Sequence, residues 1–356
     1  MTLPAPLQVL AEATRHVRDS ESCVICVPAR NEGAMLPGLI DALRAQTVSP
    51  STYSLCILLD GCRDGSDAWL RDRISGLDFP CHLGQLPPAP PNAGRARRAA
   101  CRLGLLREPA ATCLLTTDAD TRPTPDWIET NLKALREADL VAGRIERENA
   151  GDMPGRQDEE IYLDRLHQLR RVLDPVDYDP SPSHPGLGGA SLAVRRATYE
   201  ALGGFAALAT GEDVAFVRAA RLMGWRVRHE RAVHVVTSGR TQGRAPRGLA
   251  EELARYQQND APAHVPDPDE AAEYYRFQAW LRRAFSAASP AAPPPAGFET
   301  WAQRERLARL RAQAPSADAF VLLASPSETG ISRVPLTLAR ARLASIEAGL
   351  TAAVAA

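Results

Sequence analysis

The apolar positions along the chain change period several times, and each change predicts an element. The run "SCVICVP" (residues 22–28) is apolar throughout, the pattern of a strand covered on both faces of a parallel sheet. It gives way to "AMLPGLIDALRAQ", where apolar residues recur at helical spacing. "YSLCILLD" then reads as a second strand and "GSDAWLRDRISG" as a short helix. "NAGRARRAACRLGLL" reads as a longer helix leading into the strand "CLLTT" (113–117). Strand and helix in alternation predict an α/β fold with a doubly wound, mostly parallel central sheet. Ligands of such sheets lie at the carboxyl ends of the strands.

The middle of the chain mixes both periods. "DWIETNLKALREA" and "QDEEIYLDRLHQLRRVLD" are helical, "DLVAGRIE" is a strand, and "DPSPSHPG" is a loop. "GASLAVRRATYEALGGF" reads as strand then helix, closed by Gly203 and Gly204 as a C-cap. "GEDVAFVRAARLMGW" is a helix with acids in its first turn, and "RVRHERAVHVVTSGR" is a last strand. Three parts follow: an N-terminal helical segment (1–21), an α/β domain (22–247) and a helical C-terminal extension (248–356). The extension carries a Pro/Ala-rich linker near 286–297.

Composition narrows the class. The 356 residues carry a formal net charge of -1, which gives no case for nucleic acid as a partner. Lys133 is the only lysine, so clustered arginines carry less meaning here than elsewhere. The seven cysteines are scattered. Cys23 and Cys26 form a C-x-x-C inside a buried strand, with no second pair at zinc spacing. A reducing cytoplasm fits this usage. The N-terminus lacks the basic and apolar regions of a signal peptide, and no apolar run reaches the ~20 residues of a membrane span.

Polar residues gather at the predicted carboxyl ends: Arg30, Asn31 and Glu32 after the first strand, Asp60 after the second, Asp118 and Asp120 after "CLLTT". In extended chain Asp118 and Asp120 share a face, where their charges repel unless something positive lies between them. The G-x-G-x-x-G turn of a dinucleotide-binding domain is absent, since "PARNEG" stands in its place. A G-x-x-x-x-G-K-[ST] loop is absent as well. If a nucleotide binds, it is not gripped through a glycine-rich phosphate loop, and a metal bridge on Asp118 and Asp120 would be a physical substitute. A glycosidase needs two carboxyl groups ~5 to 9.5 Å apart, wider than this pair provides.

In order along the chain, "VICVPARNE", "CILLDGCRDGS", "NAGRARRAA", "LLTTDADTRPTPDWI", "GGASLAVRRATYEALGGF" and "GEDVAFVRAARLMGW" resemble glycosyltransferase family 2 on the GT-A fold. The resemblance spans about residues 22–247. It implies a metal-dependent enzyme, with Mn²⁺ or Mg²⁺, that moves a sugar from a nucleoside-diphosphate sugar to a hydroxyl acceptor. The acceptor would be a small molecule, a glycan or a lipid-linked group. Pro28, Ala29, Arg30, Asn31, Glu32 and Asp60 would hold base and ribose. Asn92, Gly94, Arg97, Thr117 and Ala119 would join them on the donor side, and Gly188, Gly189 and Ala190 would face the acceptor. Asp118 and Asp120 match the D-x-D metal motif, and Glu212 and Asp213 the catalytic acid pair. The Q-x-x-R-W of processive members is missing, so the expected enzyme is nonprocessive. A nucleotidyltransferase of related fold and a non-catalytic sugar-nucleotide binder are the alternatives. A homodimer and peripheral membrane association stay open.

Two details complete the expectations. In "AVHVVTSGR", His234 and Val236 share one strand face and Val233 and Val235 the other. His234 is either a hydrogen-bonded strand histidine or, as in similar relatives, a third metal ligand. Arg240 and Arg244 follow, with planar donors suited to a diphosphate. Glu212 and Asp213 open a helix, where the macrodipole favours ionised carboxylates. Neighbouring helical positions diverge by about 100°, so only one of the two can face the reacting carbon. The resemblance makes Asp213 the base and inversion the outcome, with Glu212 holding the acceptor or the loop.

Overall fold

A computed structural model describes residues 7–11, 16–148, 154–240, 263–287 and 292–355. In chain order the elements begin with β1 (Gln8–Ala11), β2 (Cys23–Ala29), α1 (Leu36–Arg44), β3 (Tyr53–Asp60), α2 (Ser66–Ile74), β4 (Cys81–Leu86) and α3 (Ala93–Arg107). β5 (Cys113–Thr116), β6 (Thr121–Pro123), α4 (Trp127–Ala134), β7 (Leu140–Arg147), α5 (Pro154–Leu173), β8 (Leu192–Arg195), α6 (Arg196–Ala201), α7 (Glu212–Leu222) and β9 (Val227–Thr237) follow. β10 (His264–Pro266), α8 (Pro268–Ser286), α9 (Arg304–Gln313), α10 (Ala317–Ala324), β11 (Arg333–Pro335) and α11 (Leu336–Ala355) complete the chain.

Nine strands form one sheet in the order β1-β4-β3-β2-β5-β8-β7-β9-β6. The run β4-β3-β2-β5 is parallel throughout, as the alternating pattern predicts. β8 then pairs antiparallel with both β5 and β7, and β7 pairs parallel with β9. The parallel strands are buried on both faces, and all eight residues of β3 are buried. Cys23, Ile25 and Val27 of β2 pack with Leu36, Leu39, Ile40 and Leu43 of α1. The opposite face meets α3: a Cβ on Gly104 would stand 2.8 Å from Val24 and 3.2 Å from the Cys26 sulfur. Helices on both faces make the sheet doubly wound.

Two expectations change. The N-terminal segment is not helical where it is described: Gln8–Ala11 is an edge strand, antiparallel to β4. Its partner "CHLGQL", with Gly84 and polar Gln85, carries too weak an apolar pattern to read as a strand. A Cβ at Gly84 would fall 2.5 Å from Leu103 of α3, so the glycine permits the helix to approach. The second change concerns the division of the chain. One compact unit comprises 1–149, 186–219 and 227–258, the other 150–185, 220–226 and 259–356. The helix α5 thus belongs with the C-terminal helices instead of falling inside a continuous 22–247 domain.

The second unit has its own core. Tyr162, Leu166 and Leu169 of α5 pack with Tyr274 and Tyr275 of α8 and Leu343 of α11. Phe277, Trp280 and Leu281 pack with Phe320 and Val321 of α10. Arg282 pairs with Asp174 at 2.8 Å and with Asp318. β10 and β11 form a two-stranded antiparallel sheet. No helix among the described residues is long and apolar enough to cross a membrane.

Candidate functional site

The carboxyl ends of β2, β3 and β5 do collect the polar residues the pattern placed there. Asn31 sits at φ 55, a left-handed turn that Asn tolerates better than most residues. Its side-chain oxygen accepts from the Arg63 N–H at 2.8 Å, tying the loop after β2 to the loop after β3. The Gly33 N–H donates to Asp64 at 2.8 Å and makes a second tie. Arg30 reaches Asp60 Oδ2 at 3.0 Å, and Arg95, from the first turn of α3, reaches Oδ1 at 2.6 Å. Asp60 is therefore a buried carboxylate held between two guanidinium groups.

The D-x-D stretch departs from extended geometry. β5 stops at Thr116, and the Thr121 N–H donates to the Asp118 carbonyl at 3.1 Å, closing a turn. Ala119 is buried in the sheet core, which explains a small apolar residue between the acids. Thr121 and Thr237 hydroxyls, 2.9 Å apart, pin the turn to β9. The acids are brought together by this turn. Each meets a cation: Arg97 Nη2 lies 2.9 Å from Asp118 Oδ1, and Arg240 Nη2 lies 3.0 Å from Asp120 Oδ2. Arg240 also bonds Glu32 through both terminal nitrogens, at 2.7 Å for Nη1. Burial first, then the Asp118 charge, push the Asp120 carboxyl up to about 6 against the pull of Arg240. Hydrogen bonding to Glu32, followed by nearby Asp120, holds Arg240 above its ordinary range.

Arg97 joins the two halves of the sequence pattern. Its Nη1 donates to the Gly189 carbonyl at 2.8 Å and its Nε to Glu212 Oε1 at 3.0 Å, in addition to Asp118. Burial works against this charge, but Asp118 and Glu212 together hold the guanidinium well above its usual range. Gly189 leaves the guanidinium room: a Cβ there would lie 2.3 Å from Arg97 Cζ. The two acids at the start of α7 then diverge as helical geometry requires. Glu212 is buried on Arg97, and Asp213 accepts the Gly189 N–H at 2.7 Å and the Val214 N–H at 2.8 Å.

Other expected contact residues are engaged within the chain or partly buried. Asn92 caps α3 by accepting the Arg95 N–H at 2.7 Å and donates to the Ala207 carbonyl at 3.1 Å. The Gly94 N–H donates to Leu208 at 2.9 Å, and a Cβ on Gly94 would be 2.0 Å from the Ala206 carbonyl. The N-terminus of α3 is thus occupied by chain 206–209 and closed to a phosphate. Ala29, Thr117 and Ala119 are buried, so they shape the floor without offering side chains. Pro28 is half-buried in β2, and Gly188 and Ala190 flank Gly189 at the short 3-10 turn Gly189–Ser191.

His234 follows the expected alternation, with Val233 and Val235 buried beside it. Its ring goes to β7 instead of the acids: Nε2 lies 3.2 Å from Glu146 Oε2, without hydrogen-bond geometry. Asp118, Asp120 and His234 do not converge as a three-ligand cluster among the described residues. Arg244 lies outside the described residues. The sequence reading missed Arg95, whose signal was the arginine-rich first turn "NAGRARR". It also missed Thr116, whose hydroxyl donates to the Gly189 carbonyl at 2.7 Å.

A divalent cation fits this donor set. Asp118 and Asp120 use one oxygen each on an arginine, leaving hard carboxylate oxygens on both for an ion. Burial and the neighbouring Asp118 charge, which raise the Asp120 carboxyl to about 6, are both opposed by a bound cation.

A comparison with curated protein sequences gives no significant match. Among solved structures, S. aureus TarS in complex with UDP-GlcNAc aligns at 16% identity over 82% of this chain and 78% of its own, TM-score 0.48. The mannosyltransferase PcManGT from Pyrobaculum calidifontis, in complex with GDP-Man and Mn²⁺, aligns at 17% identity over 90% of each chain, TM-score 0.47. The family profile described as "Glycosyl transferase family 2" matches residues 24–195, from the first parallel strand through β8. That stretch carries the Asp60, Arg97 and Asp118–Asp120 positions described above, and residues 24–195 belong to glycosyl transferase family 2.

Proposed function

We propose that the chain is a nucleotide-sugar glycosyltransferase that passes a sugar from a nucleoside-diphosphate donor to a hydroxyl acceptor, with inversion and without processivity. The observation that carries this reading is Arg97, one buried guanidinium that binds Asp118, Glu212 and the Gly189 carbonyl at once. It couples the acids after β5 to the acid pair of α7 within hydrogen-bond distances. A chance turn and a chance helix cap would have no reason to share a buried charge.

Mn²⁺ or Mg²⁺ held by Asp118 and Asp120 would neutralise the departing diphosphate. Arg240, bonded to Glu32 and Asp120, stands beside that position with a planar donor edge. Arg30 and Arg95 orient Asp60, so its carboxylate is fixed before a ribose or base reaches it. Asp213 is the proposed base. Its Oδ2 accepts the Gly189 N–H with one lone pair, and a carboxylate oxygen has a second for the acceptor proton. The acceptor oxygen, losing that proton, bonds to the anomeric carbon as the carbon–diphosphate bond breaks and the diphosphate leaves with the electron pair. Glu212 is committed to Arg97 and serves as a positioning residue.

A thermal-shift panel of nucleotides and nucleotide sugars, each with and without Mn²⁺, tests the donor half. At least one should raise the melting temperature only with the metal, and Asp118→Ala or Asp120→Ala should remove that shift. A panel with no metal-dependent shift would sink the reading. The anomeric configuration of the product, read by NMR, tests inversion.

A further inference from the structure

The same unit carries a second convergent cluster at the other ends of the strands. His82 is the second residue of β4, and Glu108 follows the last residue of α3. Glu108 is fully buried. Its Oε1 lies 2.7 Å from His82 Nε2, and its Oε2 lies 3.4 Å from His16 Nδ1 and accepts the Val17 N–H at 3.2 Å. One ligand atom from each of His16, His82 and Glu108 falls within 4.8 Å of the others. We propose that these three residues form a three-ligand site for a borderline divalent transition-metal ion, with Zn²⁺ the best fit, which joins the chain at residue 16 to the end of α3 and the start of β4.

The electrostatics call for a cation. Carbonyl groups at a helix C-terminus present a partial negative charge, and a buried carboxylate there is doubly unfavourable. An ordinary His–Glu hydrogen bond compensates it only in part. His82 Nδ1 is buried with no hydrogen-bond partner among the described residues, so a doubly protonated ring would leave a charged N–H without an acceptor. A metal on Nε2 leaves a neutral N–H there instead, a smaller cost.

The donor set and spacing agree. Two imidazole nitrogens and a carboxylate oxygen, with an open fourth position, make a common zinc constellation. Metal–ligand bonds of about 2.0–2.2 Å in a tetrahedron hold the ligand atoms about 3.4 Å apart. The His16–Glu108 separation already has that value. The His82–Glu108 distance is that of a hydrogen bond, and it lengthens when an ion takes the place of the proton. The His16 side chain is 58% exposed, which leaves an ion an approach and a water a place to bind. Imidazole ligands also separate this site from Asp118 and Asp120, whose hard oxygens suit Mn²⁺ or Mg²⁺.

The test uses the full chain with any affinity tag removed, in the Asp118→Ala/Asp120→Ala background, so that the other acid pair contributes nothing. One equivalent of Zn²⁺ should survive desalting by elemental analysis, and added Zn²⁺ should raise the melting temperature. Co²⁺ should give the visible absorption of a four-coordinate nitrogen–oxygen site. His16→Ala should weaken Zn²⁺ binding by more than the roughly 10- to 100-fold that an outer-shell partner costs. If His82→Ala fails to fold, His16→Ala still decides, because its side chain is mostly exposed. No retained zinc, or retention undiminished in His16→Ala, would overturn the proposal. Neither outcome bears on the donor site, which that background has already disabled.

Discussion

Arg97 and Glu108 are both buried charges at strand ends of one sheet, and their surroundings differ in kind. Arg97 is a cation with five N–H donors in a fixed plane, and it meets two carboxylates and a carbonyl. Its charge is permanent, and it offsets one of the two carboxylate charges it meets. Glu108 is an anion whose nearest partners are two imidazoles and one backbone N–H. Imidazole carries charge only when protonated, so this cluster is complete only when something arrives from solution. The guanidinium-centred cluster brings its own permanent cation and leaves Asp118 one further oxygen for an ion, whereas the carboxylate-centred one between histidines has no fixed positive charge among these partners.

The largest effect should come at the acid next to Arg97's carbonyl partner. Asp213→Asn keeps the shape but cannot take a proton, and transfer should fall by roughly 10²–10⁴, about 2.7–5.4 kcal/mol of barrier. Nucleotide binding and the melting temperature should hold. Turnover close to that of the parent enzyme would place the base elsewhere. Next is Arg97→Ala, which leaves Glu212 buried without its cation and should cost about 3–5 kcal/mol of stability. Urea unfolding of the two proteins measures it, and a loss below about 1 kcal/mol would mean that the cluster relaxes freely.

Gly189→Ala sharpens the same comparison by volume alone. The added methyl needs the space of a guanidinium held by three partners, so about 1–3 kcal/mol of overpacking is expected. Transfer should drop with it, since the Asp213–Gly189 bond is part of the same turn. A kinetic comparison at saturating donor reads this out. The smallest effect belongs to the other cluster. In chelator-treated protein, His16→Ala should change stability by no more than about 1 kcal/mol, because the His16 side chain is mostly exposed and Glu108 keeps its His82 and Val17 partners. A loss as large as that of Arg97→Ala would show that the imidazole cluster is self-sufficient after all.

The buried parallel strands were legible because burial on both faces leaves an unbroken apolar run, as in "VICVP" and "CILL". β1 and β4 were not, because an edge pairing needs few apolar side chains and its partner is about seventy residues away. At the site, Asp60, Asp118, Asp120 and the Glu212–Asp213 pair could be picked out as acids at strand and helix ends. Asn92 and Gly94, named from the resemblance, meet a segment far along the chain that no local pattern announces. Here the covering segment is 206–209. For His234 the strand face was right, and Glu146 on the neighbouring strand took the ring.

By itself, the sequence determined the period of the buried parallel strands and the amphipathic helices, and the positions of the acids at their ends. These are local consequences of side-chain polarity and alternation. Which charge meets which was decided only by the tertiary structure. Arg97, Asp118, Gly189 and Glu212 are separated by up to 115 residues and share one guanidinium because the carboxyl end of β5, the amino end of the antiparallel β8 and the N-terminal parts of α3 and α7 come to one place. His16, His82 and Glu108 meet where the start of β4, the end of α3 and the chain before β2 come together. Long-range electrostatic pairing depends on distance and burial, and neither exists until the sheet has formed.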